Sequence, residues 1–348
     1  MNNLIFTFSI LIILFKTGNV LSDNYIFDVN NIEISKKNSK NKEKSFNEAF
    51  KIAFDKLSKR LLLENDYKKL SNIGLDQIKE LISYYQISNK KDLNKESKNQ
   101  IVNVSFDKDR MHNFFYKKNI LYSDIIDTEV ILFPLLKEGD QYFIYNKNYF
   151  YDNWIKEKSN NLIQYVLPSE NIESIQKINS TKLNIYKLEI SEFFKEYSNE
   201  NVVFAHIEIN RNNSEIYLKT RIEKKRINKS LSVKNENDFN KKDFYEKIIF
   251  EINNEILDLI KSQNLIDVRT PSFLNVEIKL NKKGNLVEFK KRMEKIDLID
   301  DFYVQKLNKD YVLVKIKYLG KISKIITKLK DQNINLKMIA GQWQLTII

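Results

Sequence analysis

Apolar residues between positions 46 and 61 recur at three- and four-residue steps, which predicts an amphipathic helix. Ser45 precedes the apolar stripe and Glu48 follows three residues later, so Ser45 is predicted to be the helix N-cap in a capping box. Asp107 is predicted to cap a later helix that runs to Lys118. The rest of this N-terminal part is predicted to contain strands at 25–34, 84–87 and 99–106 and a helix at 75–82.

Continuous apolar runs mark the central part of the chain. Residues 130–136 and 201–209 are almost wholly apolar, as in strands that are buried on both faces. Residues 149–166 are predicted to be helical around Trp154, and residues 183–197 are predicted to hold a strand followed by a helix. Strands alternating with helices indicate an α/β layer. A hairpin at 215–221 and 227–233 and a helix at 241–261 complete this part.

The C-terminal part alternates most regularly. Leu274, Val276 and Ile278 alternate with polar residues, which predicts a half-buried strand. Helices are then predicted around 286–296 and 322–329, and strands at 301–307, 311–318, 334–339 and 343–347. The order β-α-β-β-α-β is that of a ferredoxin-like unit.

These elements predict a mixed α/β and α+β fold of small modules in series. The predicted segments are a signal peptide at 1–22, an α+β module at 23–122, a central α/β domain at 123–270 and a ferredoxin-like module at 271–348. A chain of 348 residues is long enough for two or three such domains.

The N-terminal segment indicates export. Residues 4–15 are apolar except for Thr7 and Ser9, which suits a signal-peptide core and falls short of the ~20 residues that span a bilayer. Val20 and Ser22 place small residues before a cleavage site at Asp23. A buried N-terminal helix or strand and an uncleaved anchor are the alternatives. We therefore expect a periplasmic or otherwise exported protein.

Composition excludes several kinds of chemistry. The chain has no cysteine, which excludes disulfides, thiolate zinc sites and thiol nucleophiles. A net charge of +12 is compatible with nucleic-acid binding. The lysines, however, are spread along the chain among acidic residues. This pattern is typical of a solvated lysine surface and argues against nucleic acid as the partner.

Histidine and glycine offer no catalytic constellation. His112 falls on a predicted helix and His206 in an apolar strand, and neither has a second histidine at metal-ligand spacing. Six glycines over the whole chain leave little room for a phosphate loop. We accordingly assign no catalytic, cofactor-binding or metal-binding residue and expect no cofactor.

Carboxylates form a few tight clusters. Asp124 lies near Asp127, and Glu170 and Glu173 follow Pro168. The remaining cluster consists of Asp297, Asp300 and Asp301. Acid–base or metal chemistry needs carboxylates that converge from separate segments, and roles in turns and helix caps are the alternative.

The chain resembles the bacterial family known as domain of unknown function 2066. The stretches that carry the resemblance are the helix at 45–63 with Ala49, Ala53, Leu57 and Leu61, the series Val102, Val104, Phe106 and Asp107, the strand at 130–136, Trp154, Pro168 with Glu170 and Glu173, and the strand at 202–209. Ser169 stands where the family has glycine. The resemblance implies an exported envelope protein and supplies no catalytic residue.

Three functions are compatible with these patterns. The first is a non-catalytic binding or scaffold protein that contacts another component of the cell envelope. The second is a periplasmic hydrolase that uses two carboxylates, and the third is a protein that binds polyanions through its lysine surface.

Overall fold

The protein is described by a computed structural model over residues 26–35, 42–89, 99–125, 128–155, 162–210, 212–235, 240–279 and 285–348. Within these residues the mixed α/β fold of several small modules is confirmed. The predicted signal peptide lies outside the described residues. Two compact units are present. Unit 1 holds the described residues of Met1–Leu57, Ile73–Asn119 and Asp267–Ile348, and unit 2 holds Ser58–Asn72 and Ile120–Ile266. The finer division at residues 122 and 270 stays a prediction.

The helices and strands follow each other in a mixed order. The helices are α1 (Lys42–Leu61), α2 (Glu64–Lys68), α3 (Leu75–Leu81), α4 (Lys108–Lys118), α5 (Tyr149–Asn153), α6 (Ile172–Thr181), α7 (Ile190–Phe193), α8 (Lys241–Gln263), α9 (Asn285–Met293) and α10 (Ile322–Asp331). The strands are β1 (Asp28–Ser35), β2 (Ile82–Asn89), β3 (Asn99–Phe106), β4 (Tyr122–Ser123), β5 (Thr128–Glu138), β6 (Gln141–Phe143), β7 (Ile163–Val166), β8 (Asn201–Asn210), β9 (Asn213–Ile222), β10 (Lys225–Lys234), β11 (Leu265–Ile266), β12 (Ser272–Lys279), β13 (Ile299–Leu307), β14 (Tyr311–Tyr318), β15 (Ile334–Ile339) and β16 (Gln342–Ile347).

The N-terminal part of unit 1 is an antiparallel sheet in the order β1-β3-β2 with helices packed on it. The predicted cap at Asp107 is confirmed, because its side chain accepts a hydrogen bond from the Arg110 backbone N–H at 2.9 Å. The predicted cap at Ser45 is wrong, since α1 already includes Lys42. Ser45 is buried inside the helix, and the lysines and glutamate before it are good helix formers that extend the first turn.

The C-terminal part of unit 1 is a five-stranded sheet in the order β13-β14-β12-β16-β15. The predicted β-α-β-β-α-β order is present in the chain. Strand β12 lies between β14 and β16, and β16 pairs with it in parallel. Strand β15 lies at the edge of the sheet beyond β16. The tight turn at Gly341, whose φ is +80°, sends β16 back alongside β15 and so inserts it between β12 and β15.

Unit 2 is built on a six-stranded sheet in the order β10-β9-β8-β5-β6, with β7 also paired to β5. The apolar run of β5 lies inside this sheet, because β5 pairs in parallel with β8 on one side and with β7 on the other. Helices α5 and α8 cover one face, where Trp154 and Ile252 are wholly buried. Helices α6 and α7 cover the other face, where Phe133 and Phe204 stack at 5.9 Å. Burial on both faces explains the continuous apolar sequence.

Two predicted elements of unit 2 are wrong. Residues 149–166 form a helix only to Asn153, and Ile163–Val166 is the strand β7. Pairing with the exposed edge of β5 favours an extended chain here, which local periodicity does not reveal. The strand predicted after Leu183 is a 3₁₀ turn at Lys182–Lys187, because Lys219 donates hydrogen bonds to the carbonyls of Tyr186 and Leu188 and holds the turn.

Candidate functional site

The histidine on α4 and one acidic cluster meet inside unit 1. His112 is buried in edge contact with Phe27, and Lys108 donates a hydrogen bond to the Ile299 carbonyl at 2.5 Å. Burial lowers the pKa of His112 to about 4, with Lys108 lowering it further and Asp300 opposing both. A general base needs a pKa near the working pH, so His112 is poorly suited to proton transfer.

The carboxylates of the same cluster are engaged in structure. Burial raises the pKa of Asp297, whose side chain accepts a hydrogen bond from the Ile26 N–H at 3.0 Å. Asp300 forms an ion pair with Lys317 at 2.5 Å. Asp301 is exposed and accepts a hydrogen bond from the N–H of Phe302. These groups fasten neighbouring segments of unit 1 to one another.

The other predicted acidic residues do not converge. Asp124 is half-buried after β4, and Asp127 lies outside the described residues. Glu170 is exposed in the loop before α6. Glu173 lines a cavity of about 500 Å³ on the first turn of α6, where Lys177 holds its pKa below the usual range. A glycosidase general acid needs a raised pKa, so Glu173 has the opposite property.

The second histidine lies in an aromatic cluster on β8. Tyr142 stacks on the His206 ring at 6.0 Å, and Tyr186 meets it edge-on. Burial lowers the pKa of His206 to about 4, with Glu208 raising it and Lys137 lowering it. Its Nε2 atom is buried without a hydrogen-bond partner among the described residues. His206 is therefore neutral at pH 7 and shielded from reactants.

Unit 2 has a groove of about 970 Å³ between β10, α8 and the corner that joins α1 to α2. Four consecutive β10 residues, Leu231 to Lys234, line it. Because successive side chains of a strand point to opposite faces, four in a row can line a groove only along the strand's edge. We call this cavity the β10 groove.

One wall of the β10 groove is fixed from α8 by a lysine and an aspartate. The Lys261 ammonium donates to the carbonyls of Lys59 at 2.7 Å and Leu62 at 2.6 Å, where α1 ends. Asp258 accepts a hydrogen bond from the Glu64 N–H at 3.2 Å, where α2 begins. Burial lowers the pKa of Lys261 and raises that of Asp258. The α1–α2 corner is thus held by satisfied helix ends.

The lining of the β10 groove is amphipathic. Phe250 of α8 is 61% exposed, and the other lining residues include positively charged lysines and negatively charged carboxylates. Strand β10 pairs with β9 through all ten residues, and no described strand pairs with its outer edge. The groove is therefore bordered by the backbone of β10 on one side, where the Lys234 carbonyl accepts a hydrogen bond from Lys247 Nζ at 2.9 Å, and by the Phe250 ring on the other.

Sequence reasoning missed these groove residues, although two signals were present. Phe250 follows the inner-face residue Ile248 by two positions, which is about 200° around the helix. The sequence therefore indicated an aromatic ring on the outer face of α8. Lys261 directly follows Leu259 and Ile260, and so interrupts an apolar stripe. Neither signal shows which segment lies opposite.

Several comparisons bear on identity. No group of three or more histidine, aspartate or glutamate side chains within the described ranges could hold a metal ion. No described helix combines the length and apolarity needed to cross a bilayer. No family model matches the chain, and no curated protein matches it either. The resemblance to the domain of unknown function 2066 family thus stays a prediction.

One solved structure shows a remote likeness. It is described as the crystal structure of an uncharacterized protein, with 8% sequence identity over 40% of this chain and 93% of its own. The TM-score of this match is 0.17, so it carries no argument about fold or function.

Proposed function

We propose that this chain is a non-catalytic binding protein of the bacterial cell envelope that holds an extended polypeptide segment in the β10 groove. One observation carries the proposal: the outer edge of β10, with which no described strand pairs, borders the β10 groove from Leu231 to Lys234. Peptides that add to a sheet edge gain main-chain hydrogen bonds, and pockets beside the edge select their side chains.

The groove chemistry fits a polypeptide better than a small reactant. Phe250 gives an exposed apolar anchor, and Glu251, Glu255 and Lys247 give both signs of charge along its length. A peptide with alternating apolar and charged side chains would match such a lining. Both histidines are neutral at pH 7, which supports a binding role over acid–base catalysis.

The envelope location rests on the apolar stretch at residues 4–15. Mass spectrometry of the protein from its native host should find a mature N-terminus near Asp23. Recovery of the intact chain from the cytosol would contradict export, and it would leave the groove proposal standing.

Peptide display on the full chain, followed by calorimetry of the selected peptides, tests the groove. We expect Phe250→Ala to lower the affinity for the tightest-binding peptide by about tenfold, which is the loss typical of a modest anchor residue. The matched control is Tyr116→Ala, which removes an exposed aromatic from α4 in unit 1.

Strand addition has its own signature in the peptide. Alternate backbone amides of an added strand point toward the sheet, so N-methylation in one register should abolish binding and in the other should preserve it. Binding that tolerates N-methylation in both registers, or that ignores Phe250→Ala, would refute the proposal.

A further inference from the structure

The five-stranded sheet of unit 1 has one face on which neither of the described helices α9 and α10 packs. Leu274, Val276 and Ile278 of β12 are buried on the helix side, where Phe289 and Leu329 of α9 and α10 are also buried. The intervening residues of β12 point the other way, as do their partners on β14. Phe273 is 51% exposed on this side, and we call it the open face.

Two aromatic rings of the open face hold a lysine between them. The Lys315 ammonium lies 4.5 Å from the centre of the Phe273 ring and 5.8 Å from that of the Tyr303 ring. Tyr303 is directly opposite Lys315 in the register of β13 with β14. Cation–π contacts fix the ammonium in place while leaving it able to bind an anion.

Positive charge is concentrated over most of the open face. Lys317 is paired with Asp300 at one end, where Asp301 also lies. The registers also place Lys279, Lys306, Lys315 and Lys337 on this face, where Glu277 and Asp301 are the carboxylates at paired positions of the sheet. The open face therefore complements an anion whose charges are spaced apart.

Neutral amides fill the spaces between these lysines. Asn275 pairs with Lys315, and Gln344 lies between Glu277 and Lys337. Amide side chains offer both donors and acceptors, as hydroxyl-rich ligands require. With strands about 4.8 Å apart, five strands give a surface about 19 Å wide, enough for several sugar residues.

We propose that the open face binds an acidic polysaccharide that carries carboxylates on its sugar rings. The Lys315 ammonium, which the Phe273 and Tyr303 rings hold in place, binds a carboxylate, and Asn275 and Gln344 bind hydroxyls. A single-stranded nucleic acid fits less well, because a base stacking on either ring would have to displace the ammonium that lies over it. This surface is independent of the β10 groove.

Calorimetry on the full chain with polygalacturonate tests this proposal. We expect Phe273→Ala and Lys315→Gln each to weaken binding by about tenfold. The control is Lys330→Gln, which makes the same charge change on the exposed side of α10 and should leave affinity within about twofold.

Three further ligands distinguish the possible sources of binding. Neutral dextran should bind weakly, since it lacks carboxylates. Poly-glutamate that binds as tightly as polygalacturonate would show that charge alone acts, and poly(dT) that binds more tightly would assign the face to nucleic acid. Either result, or the absence of polygalacturonate binding, would overturn the proposal.

Discussion

The ammonium of Lys261 lies 2.6 Å from the carbonyl oxygen of Leu62. This contact joins helix α8 to the residue that follows α1, and the Lys59 carbonyl accepts a second hydrogen bond from the same ammonium. The last carbonyls of a helix have no partner within the helix, so a buried cation can satisfy them. Lys261 thus holds the α1 end of this wall of the β10 groove, and Asp258 holds the α2 end.

Lys261→Met should lower the free energy of unfolding by about 3 kcal/mol, because two buried carbonyls lose their charged donor. In a Trp343→Phe background, urea denaturation followed by tryptophan fluorescence reports on unit 2, where the remaining Trp154 is wholly buried. The control Lys242→Met removes an exposed lysine from the same helix and should leave stability nearly unchanged. Equal effects of the two variants would contradict the capping role.

Acid should destabilise the protein through its two histidines. A folded pKa of about 4, against an ordinary 6.5, means that the unfolded chain takes up protons first as the pH falls. Stability is therefore full above pH 6.5 and is lost between pH 6.5 and 4, by about 3 kcal/mol for each buried histidine. Urea denaturation at pH 7 and pH 4.5 measures this loss.

The double variant His112→Leu with His206→Leu removes every imidazole of the chain. Its stability should change little between pH 7 and 4.5, and each single variant should lose about half of the pH dependence. The raised pKa of Asp297 acts in the opposite direction, since the folded state then binds the proton more tightly as the pH falls. An undiminished pH dependence in the double variant would refute the assignment to the histidines.

Asn148 should be among the most sensitive polar positions of unit 2. Its amide nitrogen lies 2.9 Å from the Pro134 carbonyl oxygen, 3.0 Å from that of Phe143 and 2.9 Å from that of Ile144, which share its two N–H groups, and its oxygen accepts from the Phe150 N–H. Asn148→Leu leaves these groups without a partner and should cost about 3 kcal/mol or more. Thermal melting of this variant is compared with that of the control Asn179→Leu, which replaces an exposed asparagine. Similar melting temperatures for the two variants would contradict the prediction.

The C-terminal fragment 271–348 should fold by itself. Its core comes from its own sheet and helices, with Val276, Val314, Met293 and Leu329 all 1% exposed or less. NMR of the isolated fragment should therefore show well-dispersed amide signals. A collapsed spectrum would show that contacts such as Ile26 with Asp297 are needed for folding.

The elements that could be predicted are those whose cause is local. Asp107 caps α4 because a side chain and an N–H three residues later determine that geometry. The alternation of residues 274–279 matches β12, and the stripe of residues 244–260 matches α8. In β12 and α8 the periodic pattern corresponds to one buried face. Residues close together in the sequence therefore determine the cap, the strand and the helix.

The errors lie where a distant segment decides the local structure. Residues 163–166 become a strand because the edge of β5 is available to pair with them. The 3₁₀ turn at Lys182–Lys187 is held by Lys219 from β9. Neither partner is recognisable from the sequence around the segment that it constrains.

By itself the sequence determined the mixed α/β class, the buried central strands and the alternating C-terminal module, because periodic burial is a property of neighbouring residues. Only the tertiary structure decided that β16 lies between β12 and β15, that Lys261 supports the α1–α2 corner, and that Phe273 and Tyr303 enclose Lys315. Such sites join side chains far apart in the chain, and their distances follow from packing rather than from spacing in the sequence.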